Sequence, residues 1–478
     1  MEVRNTKWTE ARFEGMRKEV LAQWPVGDVD LVEAVAYHKS MGPSKSAALV
    51  LTQAKREGRI VLQPRAGVAV LEENIALLRA LRGEGKADIL PTSVDSYTRD
   101  CRFADATKAL EASRKAGRSL LNGFPVVSYG VQGTRQLIEV LDAPMQLRIN
   151  APDVRLAAEV SLAAGFSAFV SGPICATMHY SKNETLERGI TLWQYVDRLI
   201  GRYAEMGVVI PKDHYGVFAY AGLPPSLSQA GCILESLLAA EQGVRCVVPN
   251  AYTCGNLPQD IAGIQTLGEL TDEYLRRLGY MDVNSVVQVS HWPGAFPENE
   301  AEALAVICLN TMAAVFGKAT EIMVKSSQQG VALPSRESNV AGLRATRFLI
   351  GLLRNQAPPY VKEVEEEAHY IRLETRAILD RVLELGNGDV AVGIVRGFEA
   401  GVIEAPFAAN RHNANNVMVV RDAQGANRFF DCGNLPFSNE IKEFHRQKIA
   451  ERQRQENREV DYQMIIDSVL SISRGALG

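Results

Sequence analysis

The chain has 478 residues, 46% of them hydrophobic and 23% charged, with a formal net charge of −4. That length exceeds one ordinary domain but suits a large barrel with decorated ends, and the mildly acidic balance, without a block of like charge, excludes a polyanion partner. Seven cysteines lacking CxxC spacing and seven scattered histidines with no HxH or HExxH pair predict reduced cytosolic thiols, no disulfide framework and no built-in metal site.

Met1-Glu2-Val3-Arg4-Asn5 carries no apolar core of a secretory signal, and no apolar run approaches the roughly 20 residues of a membrane span. A cytoplasmic location is the expectation. Residues 1–57 are helical and charged, with helices expected over Asp30–His38 and Ser44–Glu57. They form an N-terminal helical layer.

From residue 58 the pattern becomes strand, loop and helix in repetition. Strands are expected at Ile60–Leu62, Ile89–Leu90, Leu120–Leu121, Gln146–Arg148, Phe166–Val170, Gly216–Tyr220, Cys246–Pro249, Val286–Val289 and Ile322–Lys325. Helices such as Leu71–Leu81, Ser226–Gln242 and Asn299–Phe316 separate them. Such alternation implies a parallel sheet with helices outside it, and residues 58–355 are read as an α/β (β/α)8 TIM barrel. The nine candidates exceed its eight strands by one, so one is misread or lies outside the ring. No GxGxxG follows an early strand, which argues against a doubly wound dinucleotide fold.

Beyond Pro358-Pro359 the character changes. A long charged helix is expected over Tyr360–Leu385, stopped by Gly386-Asn387-Gly388. Short strands are expected at Ala391–Val395, Asn416–Arg421 and Asn427–Asp431, followed by a helical tail in which Lys442–Arg458 mixes both charge signs as a solvated helix does. Residues 356–478 are read as a smaller C-terminal region packed on the barrel.

Candidate chemistry gathers where strands end. Arg65 in Gln63-Pro64-Arg65-Ala66-Gly67-Val68, Arg99 in Ser96-Tyr97-Thr98-Arg99 and Arg148 in Met145-Gln146-Leu147-Arg148 each follow an apolar run and precede a helix. In a barrel those positions meet at the ligand-binding mouth, and a guanidinium fork matches a carboxylate or phosphate. Three unrelated surface arginines would show the same spacing. Lys325, ending Glu321-Ile322-Met323-Val324-Lys325, suits a Schiff-base nucleophile, a cation for an oxyanion, or a strand-end lysine reaching solvent. His179 and Tyr180 follow the fifth strand candidate, where a lone His or Tyr is as a rule structural. The segments Ser119 to Pro125, Ala221 to Ser226 and Ala251 to Asn256 end in small neutral loops that suit a broad flat ligand or partner over the mouth, and equally suit any loop.

Longer motifs in fixed order carry a resemblance. Lys7-Trp8-Thr9, Val20-Leu21-Ala22-Gln23-Trp24-Pro25, Gln63-Pro64-Arg65-Ala66-Gly67-Val68-Ala69, Ala116 to Pro125, Leu238 to Val244 and Phe398-Glu399-Ala400-Gly401-Val402 span nearly the whole chain. With them the sequence resembles the large (epsilon, or E) subunit of glutamate mutase, also called methylaspartate mutase. The resemblance implies a barrel subunit of an adenosylcobalamin-dependent carbon-skeleton mutase, an isomerase converting glutamate to 3-methylaspartate by a radical route. It implies a heterotetramer containing two copies of this chain and a small (sigma, or S-type) cobalamin-binding subunit with an Asp-x-His-x-x-Gly cobalt ligand. No such motif stands in this sequence.

Carried over residue by residue, the resemblance makes Arg65, Arg99 and Arg148 a claw for the substrate carboxylates and Tyr180 a substrate contact. It places Ala66, Gly67 and Asn122 against the corrin, Lys325 and Gln329 by the adenosyl ribose, and Leu333 on the same cofactor face. Val170 stands where the family has a glutamate holding the substrate amino group, Ala176 where a tyrosine is expected, and Gln329 where a glutamate contacts the ribose. Valine offers an ammonium no partner. Two readings follow: an acid lacking or modified at the free amino group, with Ala176 giving room, or glutamate itself with another acid or water in compensation. A non-catalytic relative that binds cobalamin or the partner, and a Schiff-base lyase using Lys325, are the alternatives from other classes.

Overall fold

The computed structural model describes residues 3–219, 222–331 and 334–477. Nine short strands build the main sheet: β1 (Val61–Gln63), β2 (Leu90–Ser93), β3 (Met145–Arg148), β4 (Ala168–Val170), β5 (Lys212–His214), β6 (Cys246–Tyr252), β7 (Asn284–Ser285), β8 (Gln288–Ser290) and β9 (Glu321–Met323). Their order is β1-β9-β8-β6-β5-β4-β3-β2, with β7 beside β6 and off that path, and every pairing is parallel. The ring shuts between β1 and β2 without a regular ladder. Asp88 N and Ile89 N donate to Leu62 O at 2.8 and 3.3 Å, and Ser93 N donates to Ala66 O at 2.7 Å. This is an eight-stranded α/β barrel, as the alternation in the sequence implies.

Alternation along the strands sorts the side chains. Leu62, Leu147, Phe169, Val247, Val289 and Ile322 point outward and join the large apolar core under the surrounding helices. Their neighbours Gln63, Gln146, Arg148, Asp213, Gln288 and Glu321 are buried inside the ring. At the N-terminal end of the ring, Ala47, Leu51 and Ala54 pack on Val61, Ile89, Ala168, Cys246, Val248 and Val286 and close the floor. Those three belong to the helix Ala47–Glu57, whose first turn is capped by Ser46. One end is plugged with methyl groups, so only the other can admit a polar ligand.

Three expected strands are corrected. Leu120–Leu121 is a bend, with Leu120 exposed and Ser119 tied to Glu73 through its N at 3.0 Å and its Oγ at 2.6 Å. Removing it brings the ring to eight. The fifth strand is not Gly216–Tyr220 but Lys212-Asp213-His214 just before it; residues 216–219 are loop and Tyr220 lies outside the described residues. An apolar-run search passes over a strand whose residues are all polar. Lys212 is nonetheless buried, paired with Asp197 on the helix Leu186–Glu205. Ala391–Val395 lies in the helix Val390–Ala400. Asp389 caps that helix by accepting from Ala391 N at 3.0 Å and Val392 N at 3.1 Å, and the cap with its packing overrides the β-branched run.

The helices Glu10–Leu21 and Leu31–Ser40 lie on Arg155–Ala164, the first held by an Arg17–Glu159 ion pair at 3.0 Å. The helix Val361–Leu385 runs along Leu257–Arg277 and Pro225–Glu241. It joins an antiparallel hairpin, β10 (Met418–Arg421) and β11 (Asn427–Asp431), through a buried pair between Glu367 and Arg428. Among the described residues no helix is long and apolar enough to cross a membrane.

Candidate functional site

The interior of the barrel is polar, which an ordinary barrel core is not. Arg148, at the end of β3, organises it. Its Nη1 donates to Gln63 Oε1 at 2.8 Å and Gln146 Oε1 at 2.7 Å, while Nη2 donates to the Tyr215 hydroxyl and approaches Met323 Sδ at 2.9 Å. Asp213 Oδ2 accepts from Gln146 Nε2 at 2.8 Å and Gln288 Nε2 at 2.9 Å. Among the described residues, both Glu321 carboxyl oxygens, Asp213 Oδ1 and Gln288 Oε1 are buried without hydrogen-bond partners.

Burial pushes both carboxyls up, Glu321 to about 8, with Asp213 adding to the rise of Glu321 and Arg148 opposing it for each. Burial thus favours the protonated form of each carboxyl, and the Asp213 charge favours it further for Glu321. Burial works against the Arg148 guanidinium, but Tyr215, Asp213 and Glu321 more than restore it, and its pKa is raised.

Above this floor lie cations of a different kind. Arg65 follows β1 and is solvent-accessible although protein surrounds it, as for a side chain lining a cup. It makes no hydrogen bond or ion pair among the described residues. Its pKa is lowered, first by burial and then by Arg148, with Arg99 acting in the same sense and Tyr180 and Tyr215 against it. Arg99 ends the turn Ser96–Arg99, set by Asp95 Oδ1 accepting from Thr98 N at 3.0 Å and by Asn122 Oδ1 accepting from Ser96 N at 2.9 Å. Its Nε is buried and unpartnered.

Lys325 is 2% exposed, and its amine is held well below the usual lysine range by burial, then by Arg65 and Arg148. Tyr180 brings no charge but closes the group: its hydroxyl accepts from Asn150 Nδ2 at 3.1 Å, and its pKa is raised by burial against the pull of Arg65 and Arg99. Arg65, Arg99, Arg148, Lys325 and Tyr180 thus act on one another at the mouth.

The remaining candidates divide. Val170 lies inside the ring, in register with Asp213 across β4 and β5. Ala176 is fully buried in the helix Pro173–Tyr180. Ala66 and Gly67 lie where β1 meets β2; a Cβ on Gly67, whose φ is +150°, would stand 2.6 Å from Ser93 N and 2.7 Å from Ser93 O. Gly123 approaches the same backbone: a Cβ added there would stand 2.6 Å from the Val94 carbonyl carbon and 2.7 Å from Asp95 N. Asn122 is exposed, and its described bond is to the Arg99 turn. Gln329 is half-buried in the turn after β9, its N donating to Ser326 O at 3.2 Å. Leu333 lies outside the described residues, as does Ala221 of the loop expected over the mouth. His179 accepts from Phe218 N at 3.0 Å and serves the backbone.

Sequence patterns alone pass over Asp213, Tyr215, Gln146, Gln288, Glu321 and Asn150. The available signal is alternation: Met145-Gln146-Leu147-Arg148 carries polar residues at every second place, and Glu321-Ile322-Met323-Val324-Lys325 carries them at both ends, where a filled barrel would carry valine or isoleucine. Asp213 and Tyr215 have no such signal, since their strand is polar on both faces.

The family model described as methylaspartate mutase E chain matches residues 41–478. The glutamate mutase epsilon subunit of Desulfitobacterium hafniense (strain Y51) is 48% identical over 478 residues, covering 100% of this chain and 99% of that one. The one from Treponema denticola is 41% identical over 478 residues, again covering 100% and 99%. Among solved structures, the carboxyl transferase domain of Rhizobium etli pyruvate carboxylase with 3-hydroxypyruvate shares 10% identity at a TM-score of 0.37, over 78% of this chain and 63% of that chain. The barrel assignment rests on the strand order and not on that distant likeness. Identity of this level over full length leaves one conclusion: the chain belongs to the methylaspartate mutase E chain family.

Proposed function

We propose that this chain is the substrate-binding barrel subunit of a carbon-skeleton mutase acting on a small dicarboxylic acid. The observation that carries the reading is the basic group at the mouth: Arg65 and Lys325 have no anionic partner among the described residues, and a ligand that brings negative charge would relieve their mutual repulsion. Family membership supplies the reaction class, and the name epsilon subunit carried by the relatives supports a partner subunit, which we take to be a small one.

Adenosylcobalamin is the cofactor we assign to that partnership, and the rim fits a broad flat group. The loops at Ala66-Gly67 and Gly123 present backbone and a methyl, and Lys325 and the buried Ser326 Oγ, unpartnered among the described residues, offer polar contacts inside. When bound, it supplies homolytic carbon–cobalt cleavage and so a radical able to take hydrogen from an unactivated carbon. This chain supplies the rest. Arg65 and Arg99 bind carboxylate, Arg148 fixes the floor beneath it, Tyr180 and Asn150 close one side, and the plugged lower end keeps bulk water from entering behind the substrate.

The test is assembly with a cognate small subunit and adenosylcobalamin under anaerobic conditions, with glutamate and its amino-free analogues followed by NMR. Rearrangement of any of these acids supports the reading. Cofactor binding with no turnover of any acid would move the assignment to a non-catalytic relative. The low basicity of Lys325 also favours a second reading, a Schiff-base lyase, because imine formation needs a neutral amine. Borohydride trapping of a carbonyl acid on Lys325 decides it.

A further inference from the structure

Arg148 and Arg99 are aimed in different ways. Arg148 is directed through its own guanidinium, which bonds Gln63, Gln146 and Tyr215. Among the described residues the Arg99 side chain enters no hydrogen bond or ion pair, and its Nε is buried without a partner. A side chain that nothing grips takes its direction from its backbone. A carboxylate can then use the guanidinium fork only where that backbone is held in place.

The backbone is held on both sides of the turn. Asp95 Oδ1 accepts from Thr98 N at 3.0 Å and Asn122 Oδ1 accepts from Ser96 N at 2.9 Å, so side chains satisfy amides that a single turn leaves over. Directly after Arg99, Cys101 N donates to Thr98 O at 3.1 Å and Arg102 N to Tyr97 O at 2.8 Å, with Cys101 at a φ of +56°. That closes the turn behind the arginine.

The two side chains that hold it differ. Asp95 is fully buried at the end of β2, so its loss would disturb the strand as well as the turn. Asn122 is exposed and comes from a loop 26 residues further along the chain. That loop is anchored on its own account. Phe124 N donates to Ser93 O at 2.8 Å, Val94 and Phe124 form a parallel bridge, and Gly123 packs with no room for a Cβ against Val94 and Asp95. Asn122 therefore reaches the Arg99 turn from a fixed base and can be changed without opening the barrel.

We infer that Asn122 is a positioning residue for Arg99: without touching the ligand, its amide oxygen holds the Ser96–Arg99 turn so that the guanidinium is presented to a bound carboxylate. This rests on the reading of the mouth as a carboxylate site, and it is separate from the corrin contact that the resemblance gives Asn122.

Calorimetric titration of the full chain with glutamate, glutarate and 2-oxoglutarate, alone and again with small subunit and cobalamin, tests it on whichever acid binds most tightly. Asn122→Ala should weaken that acid about tenfold. Asn122→Asp keeps an acceptor for Ser96 N and should retain most of the affinity at high salt, where its added charge is screened. In an Arg99→Met background, Asn122→Ala should alter affinity by less than about twofold, because no guanidinium remains to be aimed. Native affinity in Asn122→Ala, or in Arg99→Met alone, overturns the inference and leaves the carboxylate site to Arg65. A tenfold loss that persists in the Arg99→Met background also overturns it, since Asn122 then acts through the cofactor or the fold. If no acid binds the native chain in either state, the carboxylate site itself is refuted along with the inference. Circular dichroism of each variant separates misfolding from loss of binding.

Discussion

Lys325 and Arg65 show how a side chain costs stability for the sake of a ligand. Lys325 is buried among cations and holds its proton weakly. A bound dicarboxylate reverses that balance, so at a pH between the free-site and bound-site values binding takes up a proton. Titration in buffers of different ionisation enthalpy should show that uptake, and Lys325→Met should abolish it; buffer-independent heats for the native chain would refute the charge account. Arg65 has no partner to lose among the described residues. Arg65→Met should leave the melting temperature unchanged or raise it, while weakening dicarboxylate binding by about a hundredfold, roughly 3 kcal/mol. A destabilised variant would show Arg65 to be structural.

Glu321 belongs to the same scale, with the opposite sign from a surface carboxylate. Its folded pKa, about 8, stands above the ordinary 4.5, so the stability it contributes is full below the ordinary value and is lost as pH rises toward the folded one. Glu321→Gln cannot ionise. The difference between variant and native chain should therefore move in the variant's favour as pH rises from 5 to 8. Parallel urea-unfolding free energies across that range would show the carboxyl to be unperturbed.

Among the elements, the β1–β2 junction and the floor helix are where small changes propagate furthest. Gly67 takes a φ of +150° with Ser93 backbone where a Cβ would stand. Gly67→Ala should cost about 3 kcal/mol, because both strain and overlap with backbone resist relief. It should also weaken ligand binding by displacing the neighbouring Arg65, read as a lower melting temperature with a higher Kd. Leu51, 1% exposed, fills the floor between helix and ring. Leu51→Ala should cost about 2–5 kcal/mol and leave the mouth chemistry unaltered in the molecules that remain folded.

At this scale sequence and structure part in an orderly way. Helices with caps and periodic apolar faces, such as Leu31–Ser40 behind Asp30, are legible because their signals are local. The fifth strand is not, because Lys212 and His214 face outward into buried polar surroundings that exist only after the helices have packed. The run at Ala391–Val395 reads as strand until Asp389 is recognised as a cap.

Across the whole molecule, the C-terminal region is fastened to the outside of the barrel by buried charge. Arg428 bonds Asp422 at 2.7 Å and pairs with Glu367, which also accepts from Gln259 Nε2 at 3.0 Å on the helix after β6. Glu367→Ala should cost about 3–5 kcal/mol, since it strands a buried guanidinium. Loss of the C-terminal hairpin's hydrogen-exchange protection, with the barrel strands still protected, is the expected signature.

Residue order alone carries the barrel class, the family and the positions of the arginines after their strands. All of these are local patterns or long runs of matching residues. Folding in three dimensions adds that Arg148 is anchored in a polar floor while Arg65 and Lys325 stand unpartnered above it, among the described residues. It also brings Tyr215 past Val170 and puts the Asp213–Glu321 carboxyl pair inside the ring with Arg148. Those relations join residues on different strands, and closure of the ring, not spacing along the chain, sets which side chains share the interior.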